Sequence, residues 1–146
     1  MQKADLQPAN GESPDRVAVD QKTIRINDGQ YWLYADVNPQ TNRILHSRLF
    51  PTYTIPIAGE FLAELGEKHN LADAVFLVGD VDDLIGGLRK EGLSYRIQRH
   101  GFRNKIERVF RGVERRTSSF SNCFSHVAPS TAKSWLQAHA VWWNHA

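Results

Sequence analysis

Asp28-Gly29 stands between two runs rich in β-branched and aromatic residues, Val17–Ile26 (VAVDQKTIRI) and Tyr31–Val37 (YWLYADV). Asp-Gly readily adopts the positive φ angles of a tight hairpin turn, so the two runs are predicted to pair antiparallel. A chain that opens this way is committed to a sheet. Asn38-Pro39 with Gln40-Thr41-Asn42 makes the next turn, and Arg43–Phe50 (RILHSRLF) alternates as a third strand, which completes a three-stranded meander.

Beyond the meander the periodicity changes. Ile57, Phe61, Leu62 and Leu65 fall on one helical stripe within IAGEFLAELGEKH. Ala74–Val78 (AVFLV) is an uninterrupted apolar run, the pattern of a short strand buried on both faces. Leu84, Ile85 and Leu88 predict a short helix ending near Gly92, and LSYRIQ predicts a fifth strand. Ile106, Val109, Phe110 and Val113 then sit at i, i+3, i+4 and i+7, a helix with one face on the sheet. Trp135, Leu136, His139 and Trp143 predict a final amphipathic helix. The order is β-β-β-α-β-α-β-α, an α/β chain with a mixed five-stranded sheet. Residues 1–15, rich in polar and turn-forming side chains, read as an arm or linker, and residues 16–146 as one domain of ordinary size.

Composition removes several classes of function. No apolar run approaches the ~20 residues needed to span a bilayer, and the N-terminus has no hydrophobic segment of a secretion signal. The expected location is therefore the cytoplasm. The single cysteine, Cys123, permits no internal disulfide, and there is no zinc-type pair of ligands, so Cys123 is expected in the core. Charge is concentrated locally. Between Arg99 and Arg116, seven Lys or Arg face Glu107 and Glu114, a local +5 in a chain whose total is +2. Such a patch suits a polyanion, although a solvated helix face with Glu107–Arg111 pairing would give the same pattern.

Three acids stand out by position. Asp20 follows the apolar Val17-Ala18-Val19, Asp80 follows the buried fourth strand, and Glu107 lies in the last sheet-packed helix, beside its apolar stripe and expected at the sheet edge rather than in solvent. Met singly, an acid after a strand is commonly a cap or turn residue. Three in this topological order suggest hard oxygen ligands for Mg²⁺ or Mn²⁺. Two such ions ~3.5–4 Å apart can activate an attacking oxygen and stabilise the leaving one in phosphodiester chemistry. The surrounding cations would then hold the phosphates.

The stretches from Val17 to Phe50, from Phe61 to Val78, HGFRNKIERVFRGVERRTSSFSNCFSH and SWLQAHAVWWN resemble the catalytic domain of DDE insertion-sequence transposases, nearest to the archaeal branch of the IS-six family. The Arg103-Asn104-x-x-Glu107-Arg108 motif carries much of that resemblance. It implies an RNase H-like, retroviral-integrase-like fold, and DNA strand cleavage and transfer at transposon ends with two Mg²⁺ or Mn²⁺ ions. It also implies double-stranded DNA as partner, a homodimer or higher assembly on that DNA, and a nucleoid-associated protein. The implied catalytic and metal-binding carboxylates are Asp20, Asp80 and Glu107. The implied DNA-binding residues are Arg99, Arg103, Asn104, Lys105, Arg108, Arg111, Arg115 and Arg116. Two departures accompany the resemblance. Relatives read Phe-Leu-Val-Asp-Gly where this chain has Phe76-Leu77-Val78-Gly79-Asp80, so Asp80 is offset by one, with Asp82 and Asp83 behind it as candidates. Relatives also carry an N-terminal helix-turn-helix region where this sequence has a short arm, as in a truncated or decayed copy. The alternatives are a catalytically silent DNA-binding or dimerising remnant and another RNase H-like nuclease.

Overall fold

The computed structural model describes residues 11–26, 29–98, 106–111 and 144. Five strands form one sheet: β1 (Arg16–Ile26), β2 (Gly29–Asn38), β3 (Arg43–Phe50), β4 (Val75–Val78) and β5 (Ser94–Ile97). Helix α1 (Ile55–Lys68) joins β3 to β4, α2 (Asp82–Lys90) joins β4 to β5, and residues 106–111 form a further helical segment, α3. The sheet order is β3-β2-β1-β4-β5, with β1, β2 and β3 antiparallel and β4 and β5 parallel to β1. This is the mixed five-stranded sheet with flanking helices that the residue pattern predicted.

Alternation along β1 and β2 divides the core into two layers. Val17, Val19 and Tyr34 pack with Phe61, Leu62 and Leu65 of α1 and with Leu84 and Leu88 of α2. Ala18, Leu33, Ala35 and Val37 pack on the opposite face with Ile106, Val109 and Phe110 of α3. The sheet is thus sandwiched between α1 with α2 on one side and α3 on the other. Val113, Cys123 and the expected terminal helix at Trp135–Trp143 lie outside the described residues.

Local chemistry sets the joints, with some differences from the sequence reading. Ile26 pairs with Gly29, so Gly29 opens β2 rather than closing the turn. At the next turn the Asn38 side chain accepts from the Gln40 N–H at 3.0 Å, and Asn42 adopts φ 60°, a left-handed conformation that asparagine tolerates better than most residues. Helix α1 starts two residues earlier than its apolar stripe indicated. Thr54 caps it by accepting from the Ile57 N–H at 3.2 Å, and Pro56 fits the first turn, where no amide donor is needed.

Helices α1 and α2 approach closely enough to demand glycine. A methyl group at Gly87 would lie 2.8 Å from the Ala58 Cβ and 3.0 Å from the Gly59 nitrogen, both in α1. Gly87→Ala is expected to destabilise the chain by about 1–3 kcal/mol, the range for overpacking a filled site, read as a lower urea midpoint. Gly86→Ala is expected to be milder, because the nearest atoms to its methyl would all belong to the side chain of Ile55, which is 45% exposed and can turn aside. Equal effects at the two positions would show that the helix crossing is not the constraint.

Candidate active-site cleft

Strand β1 outruns its parallel neighbour. Its pairing with β4 covers Arg16–Val19 against Val75–Val78, so Asp20 is the first residue beyond the shared ladder. Alternation from Ala18 puts Asp20 on the α3 face, where its Oδ1 accepts from the Gln21 N–H at 2.8 Å. In α3 the buried residues Ile106, Val109 and Phe110 anchor one side of the helix and leave Glu107, Arg108 and Arg111 exposed. Glu107 is therefore more open to solvent than its place beside the apolar stripe suggested. The two elements meet at a cleft of about 340 Å³ lined by Asp20, Gln21, Lys22, Glu107, Phe110 and Arg111. Among the described residues, two carboxylates and two cations share its wall. Of the candidate DNA-binding residues singled out in the sequence, Arg108 and Arg111 are described, whereas Arg99, Arg103, Asn104, Lys105, Arg115 and Arg116 lie outside the described residues.

The third acid does not join them. Val75 and Leu77 of β4 face the same side as Ala18, and continuing that alternation one step past Val78 assigns position 79 to the row of Asp20. Position 79 is glycine. Its carbonyl accepts from the Val81 N–H at 2.8 Å, closing a turn in which Asp80 is exposed and outside the set of cleft-lining residues. Asp82 is exposed in the first turn of α2. Asp83 is committed elsewhere: Tyr34 Oη donates to Oδ2 at 2.6 Å and Gln21 Nε2 donates to Oδ1 at 3.0 Å. Burial first, and then the Asp83 bond, push the Tyr34 phenol well above its usual pKa, so it remains the donor. Tyr34 and Asp83 thus lie on the α1/α2 face, opposite the face of Asp20, while Gln21 belongs to both the pin and the cleft wall. Among the described residues no group of three or more His, Cys, Asp or Glu side chains could share a metal ion. By donor chemistry alone, two hard carboxylates at one cleft are the kind of set that holds a single Mg²⁺, which commonly takes one or two carboxylates and keeps several waters.

Two polar features escaped the sequence reading. Asp36, between cross-strand neighbours Val19 and His46, is fully buried, and neither carboxylate oxygen has a hydrogen-bond partner. Burial raises its pKa well above the ordinary carboxylate range. Its only sequence signal was an acid inside an otherwise apolar strand. His46 is brought toward α1 by a bulge, where Asp36-Val37 opposes Ile44 and His46 and Leu45 is the extra residue. Its ring stacks on Phe61 at 4.9 Å. Its Nε2 lies 2.9 Å from Glu64 Oε1 and its Nδ1 3.1 Å from Lys68 Nζ. A carboxylate only accepts and an ammonium only donates, so the neutral ring carries its proton on Nε2. Burial, followed by the Lys68 and Arg48 charges, lowers the His46 pKa to about 3, which makes the Glu64 contact a hydrogen bond rather than an ion pair near neutrality.

No protein-family model matches the chain, and no curated protein sequence does. Solved structures do match. The fold is similar to a protein of the simian T-cell lymphotropic virus intasome in complex with PP2A regulatory subunit B56 gamma, with a TM-score of 0.64 at 10% identity over 92% of this chain. This chain spans about half of that protein, covering 49% of it. The catalytic core domain of BIV integrase superposes with a TM-score of 0.61 at 10% identity, covering 86% of this chain and 82% of that one. The HTLV-2 integrase catalytic core domain in complex with magnesium gives 0.60 at 10% identity, covering 90% and 86%. Likeness at such low identity establishes the fold, and the fold is the RNase H-like one of integrase catalytic cores.

Proposed function

We propose that this chain is the catalytic core of a DDE-type transposase, of the insertion-sequence kind that its motifs resemble, in which one of three metal-binding carboxylates has been lost. The observation that carries the reading is the meeting of Asp20 and Glu107 at one cleft, beside a strand end that places glycine in the same row. Double-stranded DNA is the substrate, and Mg²⁺ or Mn²⁺ the cofactor held by Asp20 and Glu107. When bound, such an ion supplies Lewis-acid stabilisation of the charge that develops on phosphate oxygens. The Gln21 N–H orients the Asp20 carboxylate. Lys22 and Arg111 sit on the cleft wall, where they can neutralise a phosphodiester, and the planar guanidinium can grip two phosphate oxygens at once. With Gly79 contributing no ligand, the chain as it stands binds a single ion weakly and cleaves DNA poorly. Assembly as a homodimer on DNA and association with the nucleoid belong to the same proposal.

Calorimetric titration with Mn²⁺ tests it. Wild type is expected to take up one ion weakly, Asp20→Asn and Glu107→Gln each to abolish uptake, and Asp80→Ala to change nothing. Tight binding of two ions by the wild type, lost in Asp80→Ala, would show instead that Asp80 turns into the cleft and the site is intact.

A further inference from the structure

A second cleft lies on the same face of the sheet as Asp20. Its volume is about 190 Å³, and the described residues that line it are Arg16, Val75, Leu77, Arg96 and Gln98. The register explains why these five residues meet. Arg16 is paired with Val75, and Leu77 is paired with Ala18 on one side and Arg96 on the other. Alternation turns Arg16, Val75, Leu77 and Arg96 to one face. Val75 and Leu77 of β4 thus form an apolar floor between two guanidinium groups, one from β1 and one from β5. These strands stand two inter-strand spacings apart, roughly 9–10 Å. Gln98 closes the end nearer Gly79, held in place by its backbone N–H, which donates to the Val78 carbonyl at 2.8 Å. None of the five lining residues is acidic. Both arginines are exposed at the surface. Arg89, near β5 on the α2 side, is directed elsewhere, since its Nε donates to Tyr95 Oη at 2.7 Å.

We propose that Arg16, Arg96 and Gln98 form a phosphate-binding site that holds the sugar–phosphate backbone of DNA leaving the Asp20–Glu107 cleft. A guanidinium is charged at every working pH and presents five donors, so a pair of them flanking an apolar floor suits phosphate oxygens with sugar edges between. Because the two clefts share one face of β1, a strand lying against Asp20 continues onto β4 and β5. That the polyanion is DNA rests on the function proposed above. The phosphate chemistry rests on the lining alone.

The test is fluorescence anisotropy of a short random-sequence duplex across a series of salt concentrations, without divalent metal. Each phosphate neutralised contributes about 0.9 to the slope of log affinity against log salt, so Arg16→Gln with Arg96→Gln is expected to reduce the slope by roughly 1.8. Arg16→Lys with Arg96→Lys should retain most of the slope, and Arg89→Gln, on the other side of the sheet, should leave it unchanged. The Gln pair binding with the wild-type slope overturns the proposal, as does displacement of the duplex by inorganic phosphate at constant ionic strength, which would mark a pocket for the free ion. Mn²⁺ uptake by Asp20 and Glu107 is measured without DNA, so either proposal can fail while the other stands.

Discussion

Gly79→Asp combined with Asp80→Gly is expected to tighten Mn²⁺ binding about tenfold or more, worth about 1.4 kcal/mol per factor of ten, and to admit a second ion. The reason is positional. Alternation along β4 assigns position 79 to the row of Asp20, and the cleft beside that row already contains Glu107. A carboxylate there adds a third hard oxygen donor beside the two carboxylates of the cleft, whereas the same group one residue later sits in an exposed turn. Gly79→Asn with Asp80→Gly is the control, since it supplies similar volume without the charge and should leave affinity near that of the wild type. DNA strand cleavage, measured with a DNA-recognition region fused to the chain, should appear in the carboxylate swap and not in the Asn control. A swap that binds no better than the wild type would mean that position 79 does not reach the cleft, and the account of a lost ligand would fail.

Replacing Asp36 by valine is expected to stabilise the chain, and by more as pH rises. In the native state burial raises the Asp36 pKa well above its ordinary value. The unfolded chain releases that proton near pH 4 while the native chain retains it, so stability is fullest below the unfolded pKa and falls as pH rises toward the native one. The limiting slope is about 1.4 kcal/mol per pH unit. His46 acts in the opposite direction. Its pKa, lowered to about 3, means that stability is lost as pH falls from about 6.5 through that value. Comparing Asp36→Val with wild type cancels the His46 contribution. Urea unfolding at pH 4, 6 and 8 should show a small difference at the lowest pH and a gain of about 1–4 kcal/mol at the highest, the range by which apolar residues outperform buried charged groups. Valine also suits a buried strand whose cross-strand neighbour is Val19. Asp36→Asn should remove the pH dependence with a smaller gain, because the amide remains unsatisfied. A difference that does not change with pH would show that Asp36 does not ionise with the pKa that its burial implies.

The elements of this fold were legible in the sequence because each is specified by near neighbours. Alternation identifies β1, β2 and β3, a stripe at helical spacing identifies α1, and an unbroken apolar run of the right length identifies β4. Asp20 and Glu107 could be chosen as partners because an acid after an apolar strand and an acid beside a sheet-packed helical stripe leave few other topological places to meet. What local pattern does not carry is the identity of the opposite neighbour. That Gly29 belongs to β2 and not to the turn follows from its pairing with Ile26. The bulge at Asp36-Val37 follows from strand matching with β3. The Asn144 amide accepts from the Ile44 N–H at 2.6 Å and donates to the Ile44 carbonyl at 2.8 Å, a partnership one hundred residues long that no window of sequence contains. Asp83 could be read as a spare ligand until packing placed the Tyr34 hydroxyl and the Gln21 amide against it on the far side of the sheet. Asp36 could pass as an ordinary strand residue until its strand neighbours and the layer above it closed it off from solvent and left its oxygens without a donor. Sequence alone determined which segments become strands and helices, that the first three strands form a meander, and which acids are available. Tertiary structure decided which face each acid occupies, because a side chain's direction is set by register and its protonation by burial, and both are properties of contacts between distant parts of the chain.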